Sequence, residues 1–420
     1  MEGLPDLSPL SGPTRLGLSA VIAFALVGCH STTGGVGVPT SAPSATTVNL
    51  SLLDPGRYRT TPGPPLGEAG SEQAGRLVEG RRMAGYLVGP WQADPALDAR
   101  LPNDVAVIET YDQLSSVTWP PIVGGAWSLP FVVGFMSQRH TGAAGPQKSL
   151  RNAVLRFADA GSASAAAQGF FAKAMDMPRT RDVTPIVTEP ERAMPIPGHP
   201  DAKAALLTFL EGNQNVQELT VATSHGPYVL MQVVRCASGP DCQAQLAAHT
   251  LDLQLPLIDT FTPTDPAQFA TLPLDPTGLV ARTLALPPDE TTSTSGAVYD
   301  APGALHFEDD PVKVGPALTA AGVDEVSISR TTVYQTKTPD TAAKLTQDYS
   351  DAAATTPATQ AAAAVPGLPQ SRCLLIPGAG GLVPHHWCLA AAGRHMIKTV
   401  ARQLDTAHQQ AAAQYRILTG

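Results

Sequence analysis

The sequence predicts an α+β protein built from two homologous sheet-plus-helix domains, which follow a lipoprotein signal peptide and a flexible tether. Three observations lead to this fold class. An apolar run near the N terminus ends in a cysteine, a long uncharged segment follows it, and the remaining chain repeats one order of landmarks in each half. We place the signal peptide at residues 1–28, the tether at 29–48, the first domain at 49–265 and the second at 266–420.

The N-terminal residues have the layout of an export signal. Arg15 precedes the apolar run 16–27, which is too short to span a bilayer and suits the core of a signal peptide. The run ends in Leu26-Val27-Gly28-Cys29, which resembles the lipobox of bacterial lipoproteins. We therefore expect lipidation of Cys29, anchoring to the outer face of the cell membrane and an extracytoplasmic location. The alternative is a secretory signal that is cleaved elsewhere and leaves no lipid.

The segment after the signal and the overall charge limit the partners. Residues 30–53 contain no Asp, Glu, Lys or Arg and are rich in Ser, Thr, Gly and Pro, which is typical of a flexible tether. The formal net charge is −9 and the charges are dispersed, whereas nucleic-acid binding needs a clustered basic face. The expected partners are the membrane, through the lipid anchor, and an unknown envelope ligand or protein.

Four cysteines besides Cys29 lie in the two halves of the chain. An even number in an exported protein favours disulfides, and three pairings are possible. We favour Cys236–Cys242 and Cys373–Cys388, because each pair is local to one half. A zinc site at the second pair with His385 or His386 is the alternative, but the sequence has no CxxC or HxxxH spacing there. No metal site is therefore predicted.

An internal repeat determines the predicted architecture. The motif Leu53-Asp54-Pro55 recurs as Leu274-Asp275-Pro276. Val154–Phe157 and the Ala-rich stretch up to Phe170-Phe171 correspond to Val333-Tyr334 and the stretch Asp340–Tyr349. Gly226–Arg235 corresponds to Gly393–Arg402. The offsets are 221, 179 and 167 residues, in the same order along both halves. The falling offset means that the first half holds about 42 additional residues, within Thr60–Ser149. We expect the functional difference between the halves in this insertion.

Each repeat is predicted to run strand, helix, strand hairpin, helix. Asn152–Phe157 and Arg330–Tyr334 are β-prone, and Ser224-His225-Gly226-Pro227 predicts a hairpin between Val216–Thr223 and Tyr228–Arg235. Helical spacing puts Ala163, Ala166, Ala167, Phe170 and Ala174 on one stripe, and Ala342, Leu345 and Tyr349 on another.

The helix ends and the layers follow from local signals. Asp340 or Thr341 is the expected cap of the first helix in the second repeat. The closing helix of the first repeat is expected to end at Pro256. A single apolar stripe on each helix predicts sheets that are covered by helices on one face.

The insertion contains an uncharged aromatic segment, Gln113–Gln138. Prolines and glycines inside it argue against a membrane-spanning helix. A buried loop and strand is one interpretation. An apolar lining of a ligand site, formed by Trp119, Trp127, Phe131 and Phe135, is another.

No other segment predicts chemistry. The sequence lacks GxSxG and GxxxxGKS motifs, so we expect no enzyme, no catalytic residue and no cofactor. Glu308-Asp309-Asp310 is interpreted as a solvated turn, and His385-His386, after the glycine run at 378–381, as part of a hairpin loop tied by Cys373–Cys388.

Three motifs carry a resemblance to a known family: Leu53–Gly56, Gly80–Tyr86 and Ala413-Gln414-Tyr415. Together with the lipobox they resemble a family of uncharacterised mycobacterial and nocardial cell-envelope lipoproteins, from the actinobacteria, across the mature chain. The repeated unit is also similar, more weakly, to the extracellular sensor domains of mycobacterial membrane kinases. The resemblance implies a module that senses a ligand or a partner, and it carries over no catalytic residue.

The expected function is therefore non-catalytic binding or sensing of an envelope molecule or protein. A lipid carrier with an apolar cavity near Trp119–Phe135 is the first alternative, and a hydrolase with an unrecognised site is the second. A large closed apolar cavity favours the carrier, a shallow polar cleft favours sensing, and perturbed titratable groups in a pocket favour the hydrolase.

Overall fold

Two antiparallel sheets form the framework of this protein. The structure is a computed structural model that describes residues 47–142, 147–378 and 383–420. Cys29, the signal peptide and nearly all of the predicted tether lie outside these residues. The fold is mixed helix and sheet, as the sequence predicts.

The first sheet belongs to the first half of the chain. Its strands are β1 (Val105–Ile108), β2 (Phe131–His140), β3 (Lys148–Phe157), β4 (Ile186–Val187), β5 (Arg192–Ala193), β6 (Lys203–Glu211), β7 (Gln214–His225) and β8 (Tyr228–Cys236). The order across the sheet is β1-β2-β3-β8-β7-β6-β4, and β5 also pairs with β6.

The second sheet contains β9 (Ala297–Tyr299), β10 (Glu325–Ile328), β11 (Thr331–Gln335), β12 (Gln360–Ala362), β13 (Arg372–Ile376), β14 (His385–Ala392) and β15 (His395–Ala401). From its β9 edge the order is β9-β10-β11-β15-β14-β13-β12. This is the order of the first sheet, strand for strand. The predicted hairpins β7–β8 and β14–β15 both turn at a glycine with positive φ, +52° at Gly226 and +56° at Gly393.

The helices are α1 (Glu72–Arg82), α2 (Pro90–Ala93), α3 (Pro120–Val123), α4 (Ala160–Ala174), α5 (Pro240–Ile258), α6 (Ala301–Ala304), α7 (Pro311–Ala321), α8 (Pro339–Ala354) and α9 (Leu404–Thr419). All five residues of the predicted α4 stripe are buried, and so are the three predicted for α8. The hydrophobic spacing therefore predicted the inner faces of both helices correctly.

The helices cover both faces of each sheet, so the one-face prediction was wrong. In the first sheet, α4 packs with Leu155 and α5 packs with Val154, whose side chains point to opposite faces because neighbours along a strand alternate. In the second sheet, Tyr349 of α8 packs with Tyr334, whereas Ala411 of α9 packs with Cys388. A stripe on a helix shows that it buries one side, but not which sheet face it covers.

Two predicted helix ends differ from the structure. The N-cap of α8 is Thr338, whose side chain accepts the backbone N–H of Thr341, because Pro339 occupies the first helical position. The helix α5 continues through Pro256 to Ile258. A proline in the last turn removes little backbone hydrogen bonding, and the continuation buries Ile258 completely.

A buried glutamine in α5 joins three parts of the first half. The amide oxygen of Gln254 accepts the backbone N–H of Val88 at 2.9 Å and the side-chain N–H of Asn152 at 3.0 Å. Its amide nitrogen donates to the carbonyl of Tyr86 at 2.8 Å. The side chain thereby fixes the helix to strand β3 and to the segment that precedes α2.

The second half contains the same arrangement around Gln414 of α9. Its oxygen accepts the backbone N–H of Leu284 at 2.7 Å and the hydroxyl of Thr331 at 2.6 Å, and its nitrogen donates to the carbonyl of Arg282 at 2.8 Å. The two glutamines make equivalent bonds to equivalent elements. This geometry extends the repeat from strand order to individual side chains.

The predicted disulfide pairing is confirmed. Cys236 at the end of β8 is bonded to Cys242 in the first turn of α5. Cys373 and Cys388 are register partners on the neighbouring strands β13 and β14, with a Cα–Cα distance of 4.1 Å. The second bond therefore ties the base of the hairpin that contains His385 and His386.

The core is continuous from one sheet to the other. One cluster of buried residues includes Phe135 and Val154 of the first sheet together with Tyr334 and Met396 of the second. The sheets are consequently held in one packed body within residues 47–420.

Candidate functional site

The larger of the two pockets that we describe is an open groove of about 800 Å³ on the first sheet. It lies on the face that α4 covers, at the end of the sheet beyond that helix. Polar and charged side chains dominate its lining, chiefly Gln138, His140, Lys148, Ser149, Arg151, Glu189, Glu211, Gln214, Asn215, Gln217, Glu218 and Arg235. The second pocket is far smaller, about 80 Å³, and lies in the other half beside Leu368 and Ala390.

Strand alternation explains why charges collect in this groove. Ala153 and Leu155 of β3 are buried beneath α4, and Arg151 is the next residue on the same face. Met231 of β8 is likewise buried with α4, and Arg235 lies four residues later on that face. These positions lie outside the core beneath the helix, so the ends of the central strands form the floor of the groove.

Glu218 is the centre of a fixed ion network in the groove. It is buried, and its carboxylate accepts the indole N–H of Trp119 and the Nε–H of Arg235, both at 2.7 Å. Arg235 also donates to Glu211 at 3.0 Å and lies 5.2 Å from the ring centroid of Phe209. Each polar side chain in this network is oriented by another, which makes the floor rigid.

Arg151 is held beside this network by neutral acceptors. Its Nε donates to the side-chain oxygen of Gln138 at 2.8 Å, and its Nη1 donates to the carbonyl of Val117 at 2.9 Å. Burial is the main cause of a lowered pKa of the guanidinium; the carboxylate of Glu218 raises this pKa and the charge of Arg235 lowers it.

The rim of the groove near β2 and β3 contains further polar groups. Lys148 donates to Asp94 at 2.7 Å. The two ring nitrogens of His140 lie 2.8 Å from the carbonyl oxygen of Thr141 and 3.2 Å from that of Arg100. These contacts fix the imidazole at the rim.

The four aromatic residues that were predicted to line a ligand site are not brought together. Trp119 lies at the groove, where its indole is bonded to Glu218, and Trp127 is 68 % exposed. Phe131 and Phe135 are buried on opposite faces of the sheet, because a β-bulge between Phe131 and Val133 shifts the alternation. None of the four is among the lining residues of the two pockets.

The acidic triplet is not a solvated turn, so that prediction was wrong. Glu308 is buried between the sheets, where its carboxylate accepts the Nζ–H of Lys398 at 2.7 Å and the hydroxyl of Tyr334. Asp310 accepts the backbone N–H of Lys313 and caps α7. Only Asp309 is exposed. The three residues have separate structural roles because the chain passes from the junction of the halves into a helix at this point.

Arg139 of the first sheet binds the same junction. Its fully buried guanidinium donates to the carbonyls of His306 and Glu308, both at 2.8 Å. Burial lowers the pKa of His306 to about 3, and the neighbouring charge of Arg139 lowers it as well. The imidazole is therefore neutral at physiological pH, with its Nε2 3.1 Å from the carbonyl oxygen of Ala84. This cluster is closed to solvent and serves to hold the two sheets together.

One group of metal-ligand side chains is found in the described part of the chain: Cys373, Cys388 and His408, with ligand atoms within 4.8 Å of one another. The two sulfurs are bonded to each other, so neither offers a thiolate to a metal. The Nε2 of His408 lies 2.9 Å from the carbonyl of Ala363. His385 and His386, the predicted alternative ligands, are not part of this group.

Sequence reasoning did not identify Arg151, Arg235 or Glu218 as site residues. A signal was present for Arg235, because it follows Val229, Met231 and Val233 on one face of its strand. A second signal was the repeat itself: Arg235 corresponds to Arg402, and Arg151 corresponds to Arg330 at the same offsets as their strands.

Comparisons with known proteins give a family but no activity. No curated protein matches the sequence. The extracellular domain of PknH from Mycobacterium tuberculosis is 16 % identical, with a TM-score of 0.28, over 43 % of this chain and 96 % of that domain. DynU16, a putative protein in the dynemicin biosynthetic locus, is 9 % identical, with a TM-score of 0.10, over 76 % of this chain and 95 % of that protein. At these TM-scores neither likeness defines a shared fold.

The helices of the described residues include none with both the length and the apolar character needed to cross a membrane. Two family models match the sequence, and the boundary between them falls in the segment that follows the last strand of the first sheet and precedes the first strand of the second. The N-terminal model of the domain of unknown function DUF7373 matches residues 66–274, and the C-terminal model matches residues 279–420. Because these models cover most of the sequence, the chain belongs to the DUF7373 family.

Proposed function

We propose that this protein is a lipid-anchored, extracytoplasmic binding module that holds a polar ligand in the groove of its first sheet. The observation that carries the proposal is the groove itself. Its volume of about 800 Å³ falls within the range of small-molecule sites, and its floor is ordered before any ligand arrives. A preorganised polar surface loses little entropy on binding, which favours recognition.

The lining favours a ligand rich in hydroxyl groups. Amide, hydroxyl and carboxylate side chains from β2, β3, β6 and β7 line one open space. The amides and hydroxyls donate and accept hydrogen bonds, and the carboxylates accept them. Such a surface suits a sugar or a short polar chain. An acyl chain would instead leave these polar groups without partners, at a cost of about 1–3 kcal/mol for each buried group. The carrier hypothesis therefore has less support than polar binding.

The same network supports binding rather than catalysis. Both oxygens of Glu218 already accept hydrogen bonds, from Trp119 and Arg235. A general base needs a carboxylate that is free to take a proton from the substrate. We accordingly assign Glu218 a positioning role.

The two disulfides support export, because such bonds persist in oxidising compartments. If Cys29 carries the lipid, a Cys29→Ser variant will lose lipid attachment and signal processing. We expect wild-type protein in the membrane fraction as a shortened, acylated chain, and the variant as an unprocessed chain. Mass spectrometry of the N-terminal peptide measures both properties. A Cys29→Ser variant with unchanged processing and fractionation would exclude the anchor.

The binding role is tested by filling the groove. A Ser149→Trp variant places a large side chain on the floor, and Ser224→Trp is the matched control at an exposed position on the same sheet outside the groove. We expect amide NMR shifts of β3, β7 and β8 to move when D-glucose, N-acetylglucosamine or D-glucuronate is added to the wild type and to the control. The shifts will be lost in Ser149→Trp. Binding of these sugars that is equal in both variants, or shifts confined to other surfaces, would exclude the groove as the site.

A further inference from the structure

The groove is lined by equal numbers of Lys or Arg and Glu side chains, but not every one of them forms an ion pair. Its cations are Lys148, Arg151 and Arg235. Lys148 pairs with Asp94, and Arg235 pairs with both Glu218 and Glu211. Within residues 47–142, 147–378 and 383–420, no carboxylate lies within 4.0 Å of the Arg151 guanidinium. Arg151 is therefore the groove cation that lacks an ion-pair partner in the described chain.

The residue equivalent to Arg151 in the second half pairs with a carboxylate. Asn152 is bonded to Gln254, and Thr331 makes the matching bond to Gln414, so the preceding residues, Arg151 and Arg330, are equivalent. The Nη2 of Arg330 donates to the carboxylate of Glu290 at 2.8 Å. In the second half, the protein itself supplies a carboxylate to this arginine.

In the first half the corresponding atom has no hydrogen-bond partner among the described residues. The Nε and Nη1 of Arg151 are bonded to Gln138 and to the carbonyl of Val117, and Nη2 makes no hydrogen bond to the described residues. The guanidinium is thus fixed in orientation by two of its donor groups, and Arg151 is one of the residues that line the groove. A fixed arginine loses little entropy when it binds a carboxylate, and a charge-assisted hydrogen bond is about twice as strong as a neutral one.

The surrounding charges limit the ligand to few anionic groups. Glu218 and Glu211 lie on the same floor and would repel a ligand of high negative charge. The amide of Gln138 and the hydroxyl of Ser149 offer hydrogen bonds to hydroxyl groups. We propose that the groove binds an acidic sugar, free or within a chain, whose single carboxylate is held by Nη2 of Arg151. This inference rests on the groove being the binding site.

D-Glucuronate, D-glucose, D-glucosamine and glucose 6-phosphate are suitable probes, because they differ mainly in one charged group. NMR titration of the wild type is expected to give a Kd for glucuronate that is about tenfold or more below those of the other three. Arg151→Gln will remove the preference of the groove for glucuronate over glucose. Arg330→Gln is the matched control and will not change this preference. The amide spectrum of each variant establishes that it is folded.

The remaining outcomes separate this inference from the proposed function. Equal Kd values for glucose and glucuronate, both lost in Ser149→Trp, would keep the groove as the binding site and overturn the acidic ligand. Tighter binding of glucosamine, or of glucose 6-phosphate, would overturn the carboxylate in the same way. Absence of groove shifts with every probe would overturn both proposals. Unchanged glucuronate binding in Arg151→Gln would place the carboxylate elsewhere.

Discussion

A Lys398→Met substitution is expected to lower the free energy of unfolding by about 3–5 kcal/mol, because it leaves a buried carboxylate without its cation. Lys398 and Glu308 are both less than a tenth exposed and lie 2.7 Å apart. The ammonium also lies 4.8 Å from the ring centroid of Trp387, a cation–π contact that methionine cannot replace. Once the charge is removed, Glu308 keeps the hydrogen bond from the hydroxyl of Tyr334.

Urea unfolding followed by circular dichroism measures this loss. Lys344→Met is the matched control, since Lys344 pairs with Asp348 at the surface and is 70 % exposed; we expect a change below about 1 kcal/mol. A double variant, Lys398→Met with Glu308→Gln, should recover part of the loss because no unpaired charge remains buried. If Lys398→Met and Lys344→Met lower the free energy of unfolding by the same amount, the buried pair does not contribute to stability as the structure indicates.

The location of Glu308 explains why this loss concerns both halves. Its side chain is bonded to β11 and β15 of the second sheet, and its backbone carbonyl accepts from Arg139 on β2 of the first sheet. Arg100 of the first half also donates to the carbonyl of Phe307 at 2.8 Å. One short segment therefore connects the two sheets through groups that are mostly buried. Loss of the Lys398 charge should weaken the junction as well as the second sheet.

Sequence patterns identified the local elements because local spacing determines them. The stripe from Ala163 to Ala174 follows the helical period, and Gly226 marks a turn that needs positive φ. The pairings Cys236–Cys242 and Cys373–Cys388 were also within reach, since each joins residues that are close along the chain. The order of landmarks in the two halves corresponds to a strand order that is the same in both sheets.

Features that depend on distant contacts were not accessible in this way. An apolar stripe does not specify the sheet face that a helix covers, so the layers were predicted incorrectly. Glu308 was interpreted as solvated because its partner Lys398 is 90 residues away. The groove was missed because it is formed by residues of several strands. Its charged residues Arg151, Glu218 and Arg235 are far from one another in the sequence. The bulge beside Phe131 likewise separated aromatic residues that simple alternation would place together.

The equivalence of the two repeats leads to the second large effect. Gln254→Leu and Gln414→Leu should each lower the free energy of unfolding by about 2–4 kcal/mol, because each strands a buried backbone N–H, a carbonyl and a side-chain donor. Leucine has nearly the volume of glutamine and no polar atoms, so the cost reports the lost hydrogen bonds rather than a cavity. The losses should be similar, because the two amides bind the same kinds of groups at similar distances.

Urea unfolding of the two single variants and the double variant tests this equivalence. Gln73→Leu, at an exposed position of α1, is the helical control and should change the free energy of unfolding by less than about 0.5 kcal/mol. The double variant should show the sum of the single losses, since the two glutamines share no partner. If one substitution is costly and the other neutral, the repeated geometry is retained without a repeated energetic role. Equal and additive losses would mean that each sheet is locked to its closing helix by its own amide, so that either repeat keeps this bond network when the other is disrupted.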